Sequence, residues 1–283
     1  MQVATSSVNS HKVSFLLSLY DAENPKFFDE CLKSISEQTY NNFEVVVVYD
    51  GPINNELVKV VNKFVHKMDV KVVQLDCNSG LAKSLNYGLS FCEAEFIARL
   101  DTDDAALPER LEKQVSFLLS HPEISVLGSG ATVIDLEGNV TGEKVNPESN
   151  SDIISSLWCN PIIHPSVMFR KSEIINNGGY DESLRRRQDY ELWFRLASNK
   201  LRFHNLNESL IYYRFDYHTI KKQNFKLNYE QGKIGFKGSL RLGLPLHKAL
   251  LCFYPCFRII FPDYLQRFFN TIFRKFDPRR NTA

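Results

Sequence analysis

The first half of the chain alternates apolar segments of strand length with amphipathic segments of helical length, and this alternation limits the possible folds more than any other feature. The strand-like segments are residues 13–20, 43–49, 70–75 and 95–100. Helix-like segments follow them and begin at Pro25, Asn54, Gly80 and Pro108; the second of these is predicted to end near residue 68. Strands that alternate with helices of this length form βαβ units, so we predict an α/β fold with a mostly parallel central sheet flanked by helices.

The alternation fades after residue 124. Strands are predicted at residues 126–133, near 140, at 166–170 and at 210–214, and a helix is predicted from about Asp189. We therefore predict one domain over residues 1–220, with a regular first half at about 11–123 and an elaborated second half at about 124–220.

Charge is distributed unevenly along the chain. Residues 221–283 contain thirteen Lys and Arg against three acids, whereas the first 220 residues carry a net charge of −9. Aromatic and aliphatic residues lie among these basic residues, and Pro255 and Pro262 divide the segment into helices too short and too charged to span a bilayer. We predict a basic amphipathic helical tail over residues 221–283 that lies on the membrane surface. A tail that packs on the preceding domain is the alternative.

Composition disfavours several classes of protein. No stretch of 18 uncharged apolar residues occurs, and the polar first ten residues lack the features of a signal peptide, so we expect a cytoplasmic protein. The six cysteines have no metal-ligand spacing, so we expect reduced and mostly buried thiols. The basic tail matches no RNA-binding signature, and we expect no nucleic-acid partner.

Polar residues follow the predicted strands of the first half. Tyr20, Asp50, residues 76–80 and Asp101 each stand where a strand ends. Ligands of open α/β sheets collect at the carboxyl ends of the strands, so we expect these residues to line one nucleotide site.

Three carboxylates are crowded at the end of the fourth predicted strand. Asp101, Asp103 and Asp104 lie within four residues and repel one another. A divalent cation would relieve this repulsion, and Mg²⁺ or Mn²⁺ bound by one or two carboxylates and by substrate phosphates suits such a set. An acidic turn that caps the helix near Pro108 is the alternative interpretation.

The order of these motifs resembles that of the family 2 glycosyltransferases, which have the GT-A fold. The resemblance rests on Tyr20-Asp21, Asp50-Gly51, Asn78-Ser79-Gly80, Asp101-Thr102-Asp103-Asp104, His164-Pro165 and Gln188-Asp189-Tyr190-Glu191. It covers about residues 13–214. Within the family, the chain is most similar to bacterial enzymes that build amylovoran-type exopolysaccharide, capsule and O-antigen.

The resemblance implies a role for each strand-end residue. The residues implied to bind the donor are Tyr20, Asp50, Asn78, Gly80, Asp101 and Thr102. Asp50 would hydrogen-bond the uracil ring, Asp101 the ribose or the sugar, and Asp103 would be a ligand of Mn²⁺ or Mg²⁺. Many relatives have two acids where this chain has Tyr49 and Asp50.

The resemblance also implies that Asp189 is the catalytic base. An inverting transfer needs a carboxylate that takes the proton from the attacking hydroxyl. Glu191 is the rival, a helix-capping role for Asp189 is the alternative, and the family usually has an acid where Gln188 stands. Candidate contacts to a diphosphate or to the acceptor are Arg185, Arg187, His164, Glu191 and Trp193.

The implied activity is an inverting, non-processive transfer of a hexose from a UDP-sugar, with UDP-glucose or UDP-galactose favoured. The implied acceptor is a polyprenyl-diphosphate-linked saccharide at the inner face of the cell membrane. A nucleotidyltransferase is a rival, although residues 19–25 contain no Gly-rich phosphate loop. A non-catalytic sugar-binding protein on a transferase fold is a second rival, although Asp101, Asp103 and Asp189 are all present.

Overall fold

The computed structural model describes residues 11–215, 225–256 and 277–282. The strands are β1 (Val13–Leu19), β2 (Phe43–Tyr49), β3 (Asp69–Gln74), β4 (Phe96–Arg99), β5 (Ala105–Ala106), β6 (Ile124–Ile134), β7 (Val140–Val145), β8 (Met168–Arg170), β9 (Arg202–Arg214) and β10 (Arg280–Thr282). The α-helices are α1 (Pro25–Ser36), α2 (Asn55–Asn62), α3 (Leu81–Leu89), α4 (Arg110–Ser120), α5 (Asn150–Ser156), α6 (Lys171–Asn176), α7 (Gln188–Ser198), α8 (Phe225–Arg241) and α9 (Leu246–Leu251).

One mixed sheet runs through the described chain, in the order β10-β7-β6-β8-β4-β1-β2-β3. The pairs β1/β2, β1/β4 and β2/β3 are parallel, as predicted for strands joined by crossover helices. In the second half, β6/β7, β6/β8 and β4/β8 are antiparallel, and β9 pairs with β6 in parallel. The mostly parallel pairing predicted for the sheet is therefore found in its first half, whereas the second half mixes antiparallel pairs with the parallel pair β6/β9.

The core lies on both faces of the parallel strands. Val45 and Val47 of β2 belong to a cluster that includes Phe28 of α1, whereas Val46 and Val48 belong to a cluster on the other face. Successive side chains of a strand point to opposite faces, so the four valines bury β2 between two helical layers.

The prediction of a helix over residues 54–68 is wrong at its end, because α2 stops at Asn62. Asn54 caps the start, where its side chain accepts hydrogen bonds from the Glu56 and Leu57 N–H groups. After Asn62 the chain tightens into turns, in which the Phe64 N–H donates to the Val61 carbonyl at 2.9 Å.

The strand predicted at residues 210–214 is longer in the structure, where β9 begins at Arg202. Its first residues alternate between buried and exposed positions beside β6. The predicted strand pair near residues 126–133 and 140 is confirmed as the antiparallel pair β6/β7.

The first part of the predicted tail packs on the domain. Helix α8 lies against α7 and presents Gly235 and Gly238 to it. A Cβ atom at Gly235 would lie 2.5 Å from the Tyr190 hydroxyl, and one at Gly238 would lie 2.3 Å from the Phe194 ring. The absence of side chains at these positions lets the two helix backbones approach closely.

The end of the tail adds a strand to the sheet. β10 pairs antiparallel with β7, with Arg280 opposite Val145 and Asn281 opposite Lys144. The described parts of residues 221–283 thus match the alternative in which the tail packs on the domain. A boundary at residue 220 and contact with a membrane stay predictions.

Much of the predicted membrane segment lies outside the described residues. This applies to Phe257, Arg258, Ile259, Ile260, Phe261, Tyr264, Leu265, Arg267, Phe268, Phe269 and Phe273. In the described part of the chain, no helix combines the length and apolar character needed to cross a membrane. Four of the six cysteines are buried, Cys159 is half-buried and Cys77 is exposed, and none forms a disulfide.

Candidate active site

The carboxyl ends of β1, β2 and β4 meet at one edge of the sheet, where a cavity of about 710 Å³ opens. We call it the first cavity. All seven residues predicted to bind the donor or the metal line it: Tyr20, Asp50, Asn78, Gly80, Asp101, Thr102 and Asp103. The structure therefore brings these residues together, as expected for polar residues at parallel strand ends.

Asp50 orders the loop that forms one wall of the first cavity. Its buried carboxylate accepts hydrogen bonds from the Ser79 N–H at 2.7 Å and the Gly80 N–H at 2.9 Å. Gly51 has a φ of 93°, and a Cβ atom there would lie 2.6 Å from the Asn78 nitrogen. Asp50 thus positions Asn78 and Gly80, and its contact with a uracil ring stays a prediction.

Asp101, Asp103 and Asp104 each offer a carboxylate oxygen within 4.8 Å of the others. Asp104 is buried, and its Oδ1 accepts a hydrogen bond from the Arg214 N–H at 2.7 Å. Its Oδ2 is buried without a hydrogen-bond partner in the described chain. A buried oxygen without a partner, beside two further carboxylates, fits a divalent cation as the missing partner.

The pKa values of these acids reflect the same crowding. Burial and the neighbouring Asp101 raise the pKa of Asp103 to about 6, and burial and Asp103 raise the pKa of Asp104 well above its usual range. The alternative role as a helix cap does not apply, because α4 begins at Arg110 with Glu109 at its N-cap position.

Two buried arginines lie beneath the acids. Arg99 binds the Asp101 carboxylate through its Nη2, and Arg110 donates to the Arg99 carbonyl at 2.7 Å. Burial lowers the pKa of Arg110 to about 9. The guanidinium of Arg99 holds Asp101 in one orientation at the edge of the cavity.

Glu23 lines the first cavity and was missed by the sequence analysis. Burial and the nearby Asp103 and Asp101 raise its pKa to about 7. Its sequence environment, after the Tyr20-Asp21 strand end, resembles an ordinary turn. Only the fold shows that it joins the acids contributed by the fourth strand.

A second cavity, of about 370 Å³, adjoins the first and shares Leu81 and Asp101 with it. Its other lining residues are Lys144, Asn146, Cys159, Asn160, Ile162, Ile163, His164, Pro165, Arg187, Gln188, Asp189, Tyr213, Gln231 and Arg279. The shared residues show that a molecule in one cavity would lie next to a molecule in the other.

Asp189 faces the second cavity from the first turn of α7. Arg187, with a φ of 66°, occupies the N-cap position, so Asp189 is the second helical residue and does not cap the helix. The Asn160 Nδ2 donates to Asp189 Oδ2 at 3.3 Å. The carboxylate is half-buried and, among the described residues, accepts this one long side-chain hydrogen bond, so it has lone pairs available to accept a proton.

Glu191, the rival base, is engaged elsewhere. Its carboxylate pairs with Arg195 at 2.9 Å, and Arg195 also donates to the Gly179 carbonyl at 2.6 Å. Glu191 therefore supports the turn after α6 and lines neither cavity. Its position does not support a contact with the acceptor.

The predicted contact of Trp193 with a ligand is contradicted by its position. Trp193 has no exposed area and packs in the core against Phe203 and His164. It lines neither cavity, although it lies one helical turn after Asp189 on α7. Trp193 can affect a ligand only through the packing of α7.

His164 and the arginine loop lie where ligand contacts were predicted. His164 is buried, lines the second cavity and pairs with the Tyr180 hydroxyl at 2.9 Å. Burial and the nearby Arg99 lower the pKa of His164 to about 4, so the ring is neutral at neutral pH. Arg185 lines the first cavity and Arg187 the second.

Five lining residues of the second cavity that have an amide or a cationic side chain had no signal in the sequence: Lys144, Asn146, Asn160, Gln231 and Arg279. They come from β7, two loops, α8 and the segment before β10. None belongs to a motif, and Gln231 and Arg279 lie in the predicted tail. Their presence shows that this tail contributes to the candidate site.

A family model described as Glycosyl transferase family 2 matches residues 14–211. The chain belongs to glycosyltransferase family 2. The family and fold class predicted from the motifs are thus confirmed, and the chain is a transferase of this family.

Two relatives of this family 2 glycosyltransferase illustrate the similarity. The amylovoran biosynthesis glycosyltransferase AmsE of Erwinia amylovora is 41% identical over 186 residues, which are 65% of this chain and 69% of that protein. The UDP-Gal:alpha-D-GlcNAc-diphosphoundecaprenol beta-1,3-galactosyltransferase of Escherichia coli is 28% identical over 274 residues, which are 96% of this chain and 94% of that protein.

Solved structures share the fold. S. aureus TarS 1–349 in complex with UDP-GlcNAc has a TM-score of 0.66 and 25% identity, and the match covers 86% of this chain and 71% of that one. The mannosyltransferase PcManGT from Pyrobaculum calidifontis, in complex with GDP-Man and Mn²⁺, has a TM-score of 0.62 and 17% identity, with 86% and 71% coverage. The second likeness concerns the fold alone.

Proposed function

We propose that this family 2 glycosyltransferase moves one hexose from a UDP-sugar to a hydroxyl of a carrier-linked saccharide in surface-polysaccharide synthesis, with inversion at the anomeric carbon. The observation that carries the proposal is the shared wall at Asp101. It places the acids of the first cavity beside the cavity that contains Asp189. A donor in the first cavity would therefore present its sugar to an acceptor in the second.

The donor assignment rests on the first cavity and on two relatives. The TarS structure contains UDP-GlcNAc, and the name of the E. coli relative specifies UDP-Gal as its donor. We favour UDP-glucose or UDP-galactose for this chain. Asp50, Asp101 and Thr102 would bind the nucleotide and the sugar from the strand ends.

Asp103, with Asp101 and Asp104 beside it, would hold Mn²⁺ or Mg²⁺. When bound, such an ion stabilises the negative charge that develops on the leaving diphosphate. The residues around the acids position the donor site. Asp50 fixes the loop under the donor, and Arg99 fixes Asp101 at the boundary between the cavities.

Asp189 would remove the proton from the attacking acceptor hydroxyl. A single displacement on the side opposite the leaving group inverts the configuration of the sugar, so an α-linked donor gives a β-linked product. The sequence from Gln188 to Trp193 lacks the Arg-Trp pair of processive family members. We therefore expect one transfer for each binding event.

The acceptor would be a polyprenyl-diphosphate-linked saccharide, as specified in the name of the E. coli relative. Reaching it would require the chain to lie at the inner face of the cell membrane. Exposed apolar side chains of α8 and α9 support such contact: Phe225, Tyr229, Leu246 and Leu250. Basic residues of the same segment would attract anionic lipid.

A panel of UDP-sugars, each with Mn²⁺, with Mg²⁺ and with EDTA, tests the proposal. We expect hydrolysis or transfer with a UDP-hexose only when a metal is present. NMR coupling constants of the product should show a β linkage. Full activity in EDTA would refute the metal site, and an α-linked product would refute the single displacement.

A further inference from the structure

One wall of the second cavity is cationic, and its side chains have no role in the reaction proposed above. Lys144 of β7 and Arg279 before β10 line it together with Asp189. Arg280 pairs with Val145 in the antiparallel ladder, so Arg279 lies beside Asn146, two residues after Lys144. Strand pairing at the end of the chain therefore creates this wall.

Lys144 has an unusual environment. It is half-buried, and its Nζ lies 3.7 Å from the centroid of the Tyr213 ring and 5.1 Å from that of Phe215. No carboxylate forms an ion pair with it within the described ranges 11–215, 225–256 and 277–282. Burial lowers its pKa to about 8. Partial burial of a cation that has no ion pair is costly, so an anionic ligand would stabilise it.

Arg279 is held in a fixed orientation. Its Nε and Nη2 donate to the two oxygens of Asp277, at 2.8 and 2.5 Å, and its Nη1 donates to the Cys159 carbonyl. Asp277 balances part of its charge, whereas Lys144 has no ion pair in the described part of the chain and interacts with Asp104 only at longer range. A rigid guanidinium beside a lysine suits a phosphate oxygen better than a single flexible cation would.

Buried polar atoms without partners lie in the same cavity. They are the Nδ2 of Asn146, the Oδ1 of Asn160 and the Oε1 of Gln188. One donor and two acceptors of this kind match the hydroxyl groups of a sugar. The second cavity therefore combines uncharged hydrogen-bonding groups with the positively charged wall formed by Lys144 and Arg279.

We propose that Lys144 and Arg279 bind the phosphate that joins the acceptor sugar to its carrier, and that the segment at residues 277–282 completes the acceptor site. The inference rests on the proposed function and adds to it the residues that select a phosphorylated acceptor. The ligand class is a diphosphate diester with a sugar on one side and a carrier on the other.

The test uses the full chain saturated with UDP and Mn²⁺, so that the first cavity is occupied. Methyl octyl diphosphate, a diester without a sugar, is titrated by calorimetry. We expect saturable binding to the wild type and at least about tenfold weaker binding to Lys144→Met and to Arg279→Gln, because each loses a charge-assisted contact. Arg279→Lys, which keeps the charge but loses the paired hydrogen bonds to Asp277 that fix its orientation, should be intermediate.

Lys71→Met and Arg241→Gln remove a lysine and an arginine outside both cavities and should bind the probe as the wild type does. UDP affinity within about twofold of the wild type in every variant shows that the first cavity is intact. Equal binding of the probe to wild type and variants, or no binding to the wild type, overturns the inference. Inorganic phosphate that binds as tightly as the diester also overturns it.

Titration of UDP into the wild type, with and without Mn²⁺, separates this inference from the proposed function. If UDP binds and the diester does not, only the acceptor assignment fails. If UDP does not bind, the donor site itself is refuted.

Discussion

The two adjoining cavities are built in different ways. The first is formed mainly by the loops after β1, β2, β3 and β4, with two arginines added from residues 185 and 186. The second draws on segments that extend from Leu81 to Arg279, including β7, the start of α7, α8 and the segment before β10. A site on parallel strand ends comes from the topology itself, whereas the second cavity depends on how distant segments pack.

Substitutions in the two cavities should have different consequences. Those in the first cavity should abolish transfer from the donor. Those in the second should lower turnover and leave the affinity for UDP unchanged. Substitutions in the part of the tail that packs on the domain should lower its stability.

The largest effect is expected for Asp103→Asn in the first cavity. Transfer should fall by roughly 10³-fold or more, because the stabilisation of charge on the leaving group is worth several kcal/mol. Asp69→Asn, an exposed acid on the edge strand β3, is the matched control and should retain activity. Rates are measured over a range of Mn²⁺ concentrations, and a variant with normal rates would show that Asp103 is not a ligand.

Asp189→Asn should lower turnover by roughly 10² or more, with nearly unchanged affinity for UDP, because the amide cannot take the proton. Single-turnover kinetics and UDP titration measure the two quantities. Glu191→Gln is the control and should keep most of its turnover, since Glu191 faces Arg195. If Glu191→Gln loses turnover while it stays folded and Asp189→Asn does not, the base has been wrongly assigned.

Gly238→Ala should destabilise the whole domain by about 1–3 kcal/mol, because the added Cβ atom would lie 2.3 Å from the Phe194 ring. The melting temperature should fall by about 2–8 °C in a single transition. Lys237→Ala changes the exposed side of the same helix and should leave the melting temperature nearly unchanged. An unchanged melting temperature for Gly238→Ala would mean that α8 is not part of the folded core.

The smallest effect concerns the membrane. The full chain should float with anionic vesicles and detach at high salt, and Leu246→Ser with Leu250→Ser should weaken the partition about fivefold. Both leucines are more than half exposed, so stability should be preserved. Ile175→Ser, an exposed apolar position on α6, is the control. If the wild type never floats, the tail does not bind this membrane.

The first half could be predicted in detail because its signals are local. The valines of β2 indicate a strand buried on both faces, and Asp50 and Asp101 stand at the ends of such strands. Parallel pairing then places these ends at one edge without further information. The errors there are small, such as the premature end of α2, where tighter turns replace the last helical residues.

The second half was less predictable because its contacts join segments far apart in the chain. Trp193 was a candidate ligand contact because it lies close to Asp189 in the sequence, but in the structure it is fully buried and packs against His164 and Phe203. The glycines of α8 at positions 235 and 238 do not indicate in the sequence which helix they approach. The membrane-surface role of residues 221–283 was predicted from their composition. Composition indicates which ligands or lipids a segment can attract, but it does not indicate the part of the protein against which a helix packs.

The sequence by itself determined the parallel strands, the acids at their ends and membership of the family, because each depends on the order of residues within a short segment. Only the tertiary structure decided that Glu23 joins the acids and that Trp193 is buried. It also decided that Lys144 and Arg279 lie on one wall of the cavity that contains Asp189. The physical reason is that strand pairing and helix packing bring together residues that are far apart in the sequence, such as Lys144 and Arg279, and side-chain burial and charge are properties of that arrangement.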